Sequence, residues 1–363
     1  MMQGFCFSNK FKVAGMVKQR IQLFDIARGL AIFMVISAHT LTIFKGTSIS
    51  NFLFLGNLAV FFVVSGYFYR PKSLMQIVKT GVNTLLIPYF IAAIGYLLIR
   101  GFIGVVFLHH EFITTAKWIS LIYANGVLAT TPTGYELTAQ IGAIWFLPTM
   151  FIANIIFQLI MRLSKRWEQR LVILVMFILG VGLAHFGLWP WSFQTALQVQ
   201  VFYMFGYELA QYVKQHQTLI FTKWWVGWSS FTVWLVSSWF TWYGLNQGRA
   251  EHIVLATIAA AASAIAILSF SYFIERHWVW LTKFLAYAGE FSLIILIIHT
   301  TDLNLTDMYL QQFMDRQAPG TRLMMYISLT ILRIGYATGL TWIILKFRLL
   351  RKWLVQRDFP ITK

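Results

Sequence analysis

The sequence predicts an all-α polytopic membrane protein with about ten transmembrane helices and both termini in the cytoplasm, and three observations carry that prediction. Of its 363 residues, 58% are hydrophobic and only 11% are charged, less than half the roughly 25% charged share of an ordinary soluble chain. Apolar runs near the ~20 residues needed to cross a bilayer recur along the whole length. Basic residues gather in alternate connections between those runs, as the positive-inside rule requires.

The runs fall at 22–43, 51–69, 82–107, 141–161, 171–189, 193–213, 221–243, 252–275, 284–301 and 323–346. The first follows a basic N-terminus, but it is too long for a signal-peptide core and lacks a small-residue cleavage site, so it reads as an uncleaved helix. The third is over-long and suggests a tilt or a turn near Arg100 and Gly101. The connection 108–140 holds a half-apolar piece, 118–128, too short to span and suited to the interface. Residues 302–322 read as an outer loop. The organisation expected is therefore a cytoplasmic segment 1–20, a ten-helix domain 21–347 and a basic cytoplasmic tail 348–363.

Orientation follows from charge. One side receives the basic residues of the N-terminus, of 70–80, 162–170, 214–223 and 276–283, and of the C-terminus, 21 of the 29 Lys and Arg. The other receives Lys45, Lys117, Arg249, Arg316 and Arg322, and Arg28, Arg100 and Arg333 stay within spans. This asymmetry also accounts for the net charge of +17. No basic-aromatic soluble domain is present to hold nucleic acid, so anionic membrane lipids are the partner expected for the basic loops. The single cysteine, Cys6, excludes an intramolecular disulfide framework.

The first run carries the densest chemistry. An ionisable group in hydrocarbon costs at least ~2.5–3.5 kcal/mol, and this span holds Asp25, Arg28 and His39. Asp25 and Arg28, three residues apart, can pair on one helix face. His39 lies three turns beyond Arg28 on roughly the same side, about 16 Å along the axis. In the ninth run Glu290 lies about two turns in, and His299 reaches a depth similar to that of His39, about 24 Å beyond Lys283 in a straight helix. His185 reaches a comparable level, but an interhelical hydrogen bond is the simpler role for it. Ser65 and Gly66 end the second run in FFVVSGYFYRPK and allow a neighbouring helix close. Arg70, Lys72 and Lys79 just beyond, with Arg28, form a candidate phosphate site, since guanidinium and ammonium groups suit phosphate oxygens.

Taken together in order, these stretches resemble the acyltransferase-3 family of integral membrane O-acyltransferases. The resemblance rests on R-x4-D-x2-R-G-L-A with its histidine (Arg20, Asp25, Arg28, Gly29, His39) and on FF-x-x-SG-Y from Phe61 to Tyr67. It continues through LIPY at 86–89, WFLP at 145–148 with Trp145, FGYEL at 205–209, and Gly289, Ser292, Leu293 and His299 in G-x-x-S-L-x5-H. The sequence departs from the family in having Lys79, Asn83 and Thr84, rather than arginines, before LIPY.

The resemblance implies an acyl-CoA co-substrate, commonly acetyl-CoA, on the cytoplasmic side and a hydroxyl of a cell-surface carbohydrate or lipid-linked saccharide as acceptor. It places the chain in a bacterial inner or plasma membrane. In that scheme His39 is the general base, Asp25 orients Arg28, and Arg28 with Arg70, Lys72 and Lys79 meets the donor. His299 assists at the acceptor end, while Ser65, Trp145, Glu290 and Ser292 shape the substrate pocket. A further hydrolase-like domain, found in some relatives, is not expected. No metal is expected, since no HExxH helix occurs, and HxxxxD and dinucleotide-binding spacings are missing too. A homo-oligomer is compatible with all of this. The competing reading is a transporter or flippase for a small solute or lipid-linked sugar, with the buried charges as a proton relay.

Overall fold

The computed structural model describes residues 7–108 and 114–354, and 80% of it is helical. The helices are α1 (Phe7–Thr40), α2 (Ser48–Gly56), α3 (Ala59–Tyr67), α4 (Leu74–Gly81), α5 (Ile87–Leu108), α6 (Thr115–Tyr123), α7 (Phe146–Ile160) and α8 (Arg166–Phe186). They continue with α9 (Phe193–Gln198), α10 (Gln200–His216), α11 (Trp224–Ser237), α12 (Ile253–His277), α13 (Val279–Glu290), α14 (Ser292–Asp315), α15 (Pro319–Lys346) and α16 (Arg348–Leu354). Two short antiparallel hairpins complete the chain: β1 (Ala129–Thr130) with β2 (Glu136–Leu137), and β3 (Tyr243–Gly244) with β4 (Arg249–Ala250).

Seven helices or joined helices among the described residues are long and apolar enough to cross a membrane, and eight if the bent pair α13–α14 is one span. Ten runs were expected. The two that fall short are instructive. α11 has 14 residues, about 21 Å at 1.5 Å per residue, against a hydrocarbon core of ~30 Å. The α9–α10 segment is too polar, because it buries Gln194, Gln198 and Gln200 completely. Their amide nitrogens have partners: Gln194 donates to the Gln247 carbonyl, Gln198 to that of Gly248 and Gln200 to that of Ala153, while Gln200 Oε1 stays without one. Burial with partners is affordable where burial alone is not.

Three further expectations are corrected. The third run does not turn at Arg100 and Gly101, for α5 passes straight through them; the irregularity is a π turn at Val82–Leu86. Residues 302–322 are not a loop throughout, since α14 runs on to Asp315 and α15 begins at Pro319. The ninth run is broken at Phe291, where α13 and α14 meet at 74°.

α1 is the central strut. It packs on α13, α12, α15, α14, α2 and α3. Its tightest neighbour is α13, where glycines face each other: a Cβ on Gly29 would stand 2.2 Å from the Leu285 carbonyl oxygen, and one on Gly289 1.7 Å from that of Asp25. α3 crosses α10 in the same way, through Gly66 and Gly206. Ile32, Val35 and Ile36 of α1 then pack with Ala288, Ile295, Leu296 and Ala337. That cluster fixes α1, α14 and α15 relative to one another.

Candidate functional site

The packing of α1 against α13 and α14 makes two groups of polar side chains, one near the middle of α1 and one at its C-terminal end. In the first, Arg28 Nη1 donates to Asp25 Oδ1 at 3.1 Å, both half-buried. Because Gly289 presses onto the Asp25 carbonyl, the next residue, Glu290, is held at that level, at the bend before Ser292. Phe24, one residue before Asp25, contacts Tyr67 and Phe68 at ring-centroid distances of 4.5 and 4.8 Å. The chain leaving α3 is thereby brought beside this turn of α1, and Arg70 and Lys72 follow it into solvent. Ser73 closes the loop with a capping box to Gln76 at the start of α4, and Lys79 lies exposed on that helix.

In the second group, the rings of His39 and His299 stack with centroids 6.1 Å apart and planes 25° from parallel. Phe54 meets His39 edge-on at 5.6 Å. His299 is fully buried, and neither of its ring nitrogens has a hydrogen-bond partner. Buried polar groups are normally bonded, so an imidazole with both nitrogens open is what a reacting or ligand-binding group requires. His39 is half-buried and supplies the side of the pair closest to an incoming molecule.

Behind the imidazoles stands Arg333 of α15, 0% exposed. Its Nε lies 2.8 Å from Asp302 Oδ2 and its Nη1 3.0 Å from Asp307 Oδ1. Nη1 also donates to Thr40 Oγ1 at 3.2 Å, the residue after His39, and Nη2 to Thr306 Oγ1 at 3.4 Å. This cluster ties α15 to α14 and to the last turn of α1. Sequence reading placed Arg333 inside a span without assigning it a role; its buried charge was the available signal.

The other sequence candidates lie apart from the two groups. Ser65 donates to the Phe61 carbonyl at 2.8 Å, at the contact of α3 with α10. Trp145 is buried against Gly126, in a 3-10 turn whose Gly142 abuts Thr300 and Asn304 of α14. His185 is exposed at the end of α8, where its carbonyl accepts from Arg249. Among the described residues, no group of three or more His, Cys, Asp or Glu side chains is arranged to hold a metal ion.

Chemically, the arrangement offers a pair of open imidazoles at the C-terminal end of α1 and an ion-paired guanidinium near its middle, beside the chain that leaves α3 toward Arg70. A family model described as an acyltransferase domain matches residues 21–346, nearly the whole chain. Neither the curated proteins nor the solved structures contain a match.

Proposed function

This chain belongs to the acyltransferase-3 family, and on that premise we propose that it is a membrane O-acyltransferase. It moves an acyl group, most simply acetyl, from acyl-CoA at the basic cytoplasmic face to a hydroxyl of a cell-surface carbohydrate or its lipid-linked precursor. The observation that carries the reading is the stacked His39–His299 pair, with both nitrogens of the buried His299 open.

A neutral imidazole is a suitable base near pH 7. A ring nitrogen of His39 takes the proton of the acceptor hydroxyl as its oxygen attacks the thioester carbonyl carbon. The carbon–sulfur bond then breaks, and the thiolate of CoA leaves and recovers that proton. His299 holds the acceptor end through its open nitrogens. Arg28, oriented by Asp25, grips the donor with its fork. Arg70, Lys72 and Lys79 offer the CoA phosphates solvent-facing charge, and Glu290 and Ser292 shape the passage at the α13–α14 bend. Ser65 and Trp145 support the walls through the helices they pack. The separation of Arg28 from His39, about 16 Å along α1, matches a long donor whose phosphates and thioester lie far apart.

The test uses His39→Ala and His39→Gln, with glycan O-acylation read by mass spectrometry and protein abundance read in the membrane fraction. Both variants are expected to insert normally and to be inactive, since Gln keeps a hydrogen bond but cannot act as the base. An active His39→Gln enzyme removes His39 from that role. Hydrolysis of acetyl-CoA by the purified protein separates this reading from transport.

A further inference from the structure

A cleft of about 850 Å³ opens on the side of the molecule away from the imidazoles, within the ~300–1,000 Å³ range of sites that bury most of a ligand. α11 and α12 form its walls, and Leu30 and Met34 of α1 with Phe52 of α2 form its floor. Leu30 and Met34 stand on the face of α1 opposite Asp25, Arg28 and His39, by the 100° step per residue of a helix. Trp234 stacks flat on Phe52 at 3.8 Å and closes one end. The outer lip carries Trp228 and Phe270, both exposed on helices that the chain's composition places in hydrocarbon.

The charge in this cleft lies at its other end only. α11 begins just after Lys223 and α12 ends at His277, and the two helices pack together. Lys223, Arg276 and His277 therefore meet at one mouth, all exposed. Trp224, 77% exposed, stands beside them, as aromatic side chains do at a membrane–water boundary. An apolar trough with a cationic mouth at the interface has the complementarity of one molecule: an anionic phospholipid, its acyl chain in the trough and its phosphate between Lys223 and Arg276. Shape accounts for the chain, and charge complementarity selects the headgroup.

We propose that this cleft is a specific binding site for an anionic phospholipid, separate from the acyl-transfer site. Arg276 donates from Nη1 to the Tyr272 hydroxyl at 3.3 Å, which orients its fork along the mouth. The site holds the short helix α11 against the bundle by filling the space that α11 and α12 leave between them.

The experiment measures lipid adducts of the purified full-length chain by native mass spectrometry, with phosphatidylglycerol and phosphatidylcholine of identical chains. The parent protein is expected to prefer phosphatidylglycerol and to melt at higher temperature with it. Lys223→Gln with Arg276→Gln is expected to lower phosphatidylglycerol affinity about 30-fold, two basic contacts at an anionic headgroup, and to leave phosphatidylcholine unchanged. Trp228→Ala is expected to weaken both lipids, because it removes part of the trough. Lys346→Gln with Arg348→Gln, which removes charge elsewhere, is expected to change neither. Equal affinity of the parent for the two lipids overturns the proposal. So does parental phosphatidylglycerol binding in the Lys223→Gln/Arg276→Gln protein, or an equal loss in the Lys346→Gln/Arg348→Gln control. Lipid-free melting at the parental temperature verifies that each variant is folded.

Discussion

Replacing Arg333 with methionine isolates the energetics of the second polar group. The guanidinium is 0% exposed and faces two carboxylates, whose side chains are 17% and 22% exposed. Methionine fills a similar volume with apolar atoms, so packing is largely kept while Asp302 and Asp307 lose their counter-charge. Removing one partner of a buried ion pair costs about 3–5 kcal/mol, most of it the penalty of the charge left behind. Arg333→Met is therefore expected to destabilise the protein by that amount. Arg333→Lys, which keeps the charge but loses the fork that reaches Asp302, Asp307 and Thr40 together, is expected to cost less. Arg333→Met combined with Asp302→Asn and Asp307→Asn removes every charge at once. It is expected to recover most of the loss, because neutralising all partners is far cheaper than orphaning some. Reversible unfolding in bicelles, run on the parent and the three variants, reads these differences. If Arg333→Met stays within about 1 kcal/mol of the parent, or the combined variant is worse than Arg333→Met, the cluster does not hold α15 to α14 as argued.

Further expectations follow from the fold and the proposed reaction. Arg28→Lys is expected to lose most acetyl-CoA turnover although the charge is kept, because an ammonium does not reproduce the bidentate fork; parental kinetics in that variant would make Arg28 structural. In a Cys6→Ser background, Met75→Cys, at an exposed position, is expected to react with an impermeant thiol reagent only after the membrane is opened. Thr133→Cys in the β1–β2 hairpin is expected to react without opening, and the reverse pattern refutes the orientation read from the basic loops. Gly66→Ala would put a Cβ 1.9 Å from the Tyr203 carbonyl oxygen and is expected to cost about 1–3 kcal/mol by forcing α3 from α10. Gly95→Ala, with open space around it, serves as the control, and equal melting temperatures for the two variants would contradict the close crossing.

The difference between what was legible in the sequence and what was not comes down to where each side chain's partner lies. Asp25 and Arg28 are partners three residues apart on one helix, so spacing alone implies the bond that the structure contains. The glycines of the first and last motifs, Gly29 and Gly289, could be noted in sequence, but only the fold shows that they press on each other's helix. That contact brings together two motifs some 260 positions apart. Arg333, Asp302 and Asp307 were hidden for the opposite reason. Three acidic residues in 302–315 lower the local hydropathy, which reads as an outer loop, yet two of them are neutralised by an arginine from another helix and α14 continues through them. A hydropathy window adds the cost of each charge and cannot subtract a pairing it does not see. The same blindness works in reverse for the seventh run, whose apolar residues extend beyond the 14-residue helix α11. There, length in sequence exceeds the length of helix available to cross the membrane. The cleft between α11 and α12 runs along this same helix, where hydropathy alone reads only another span.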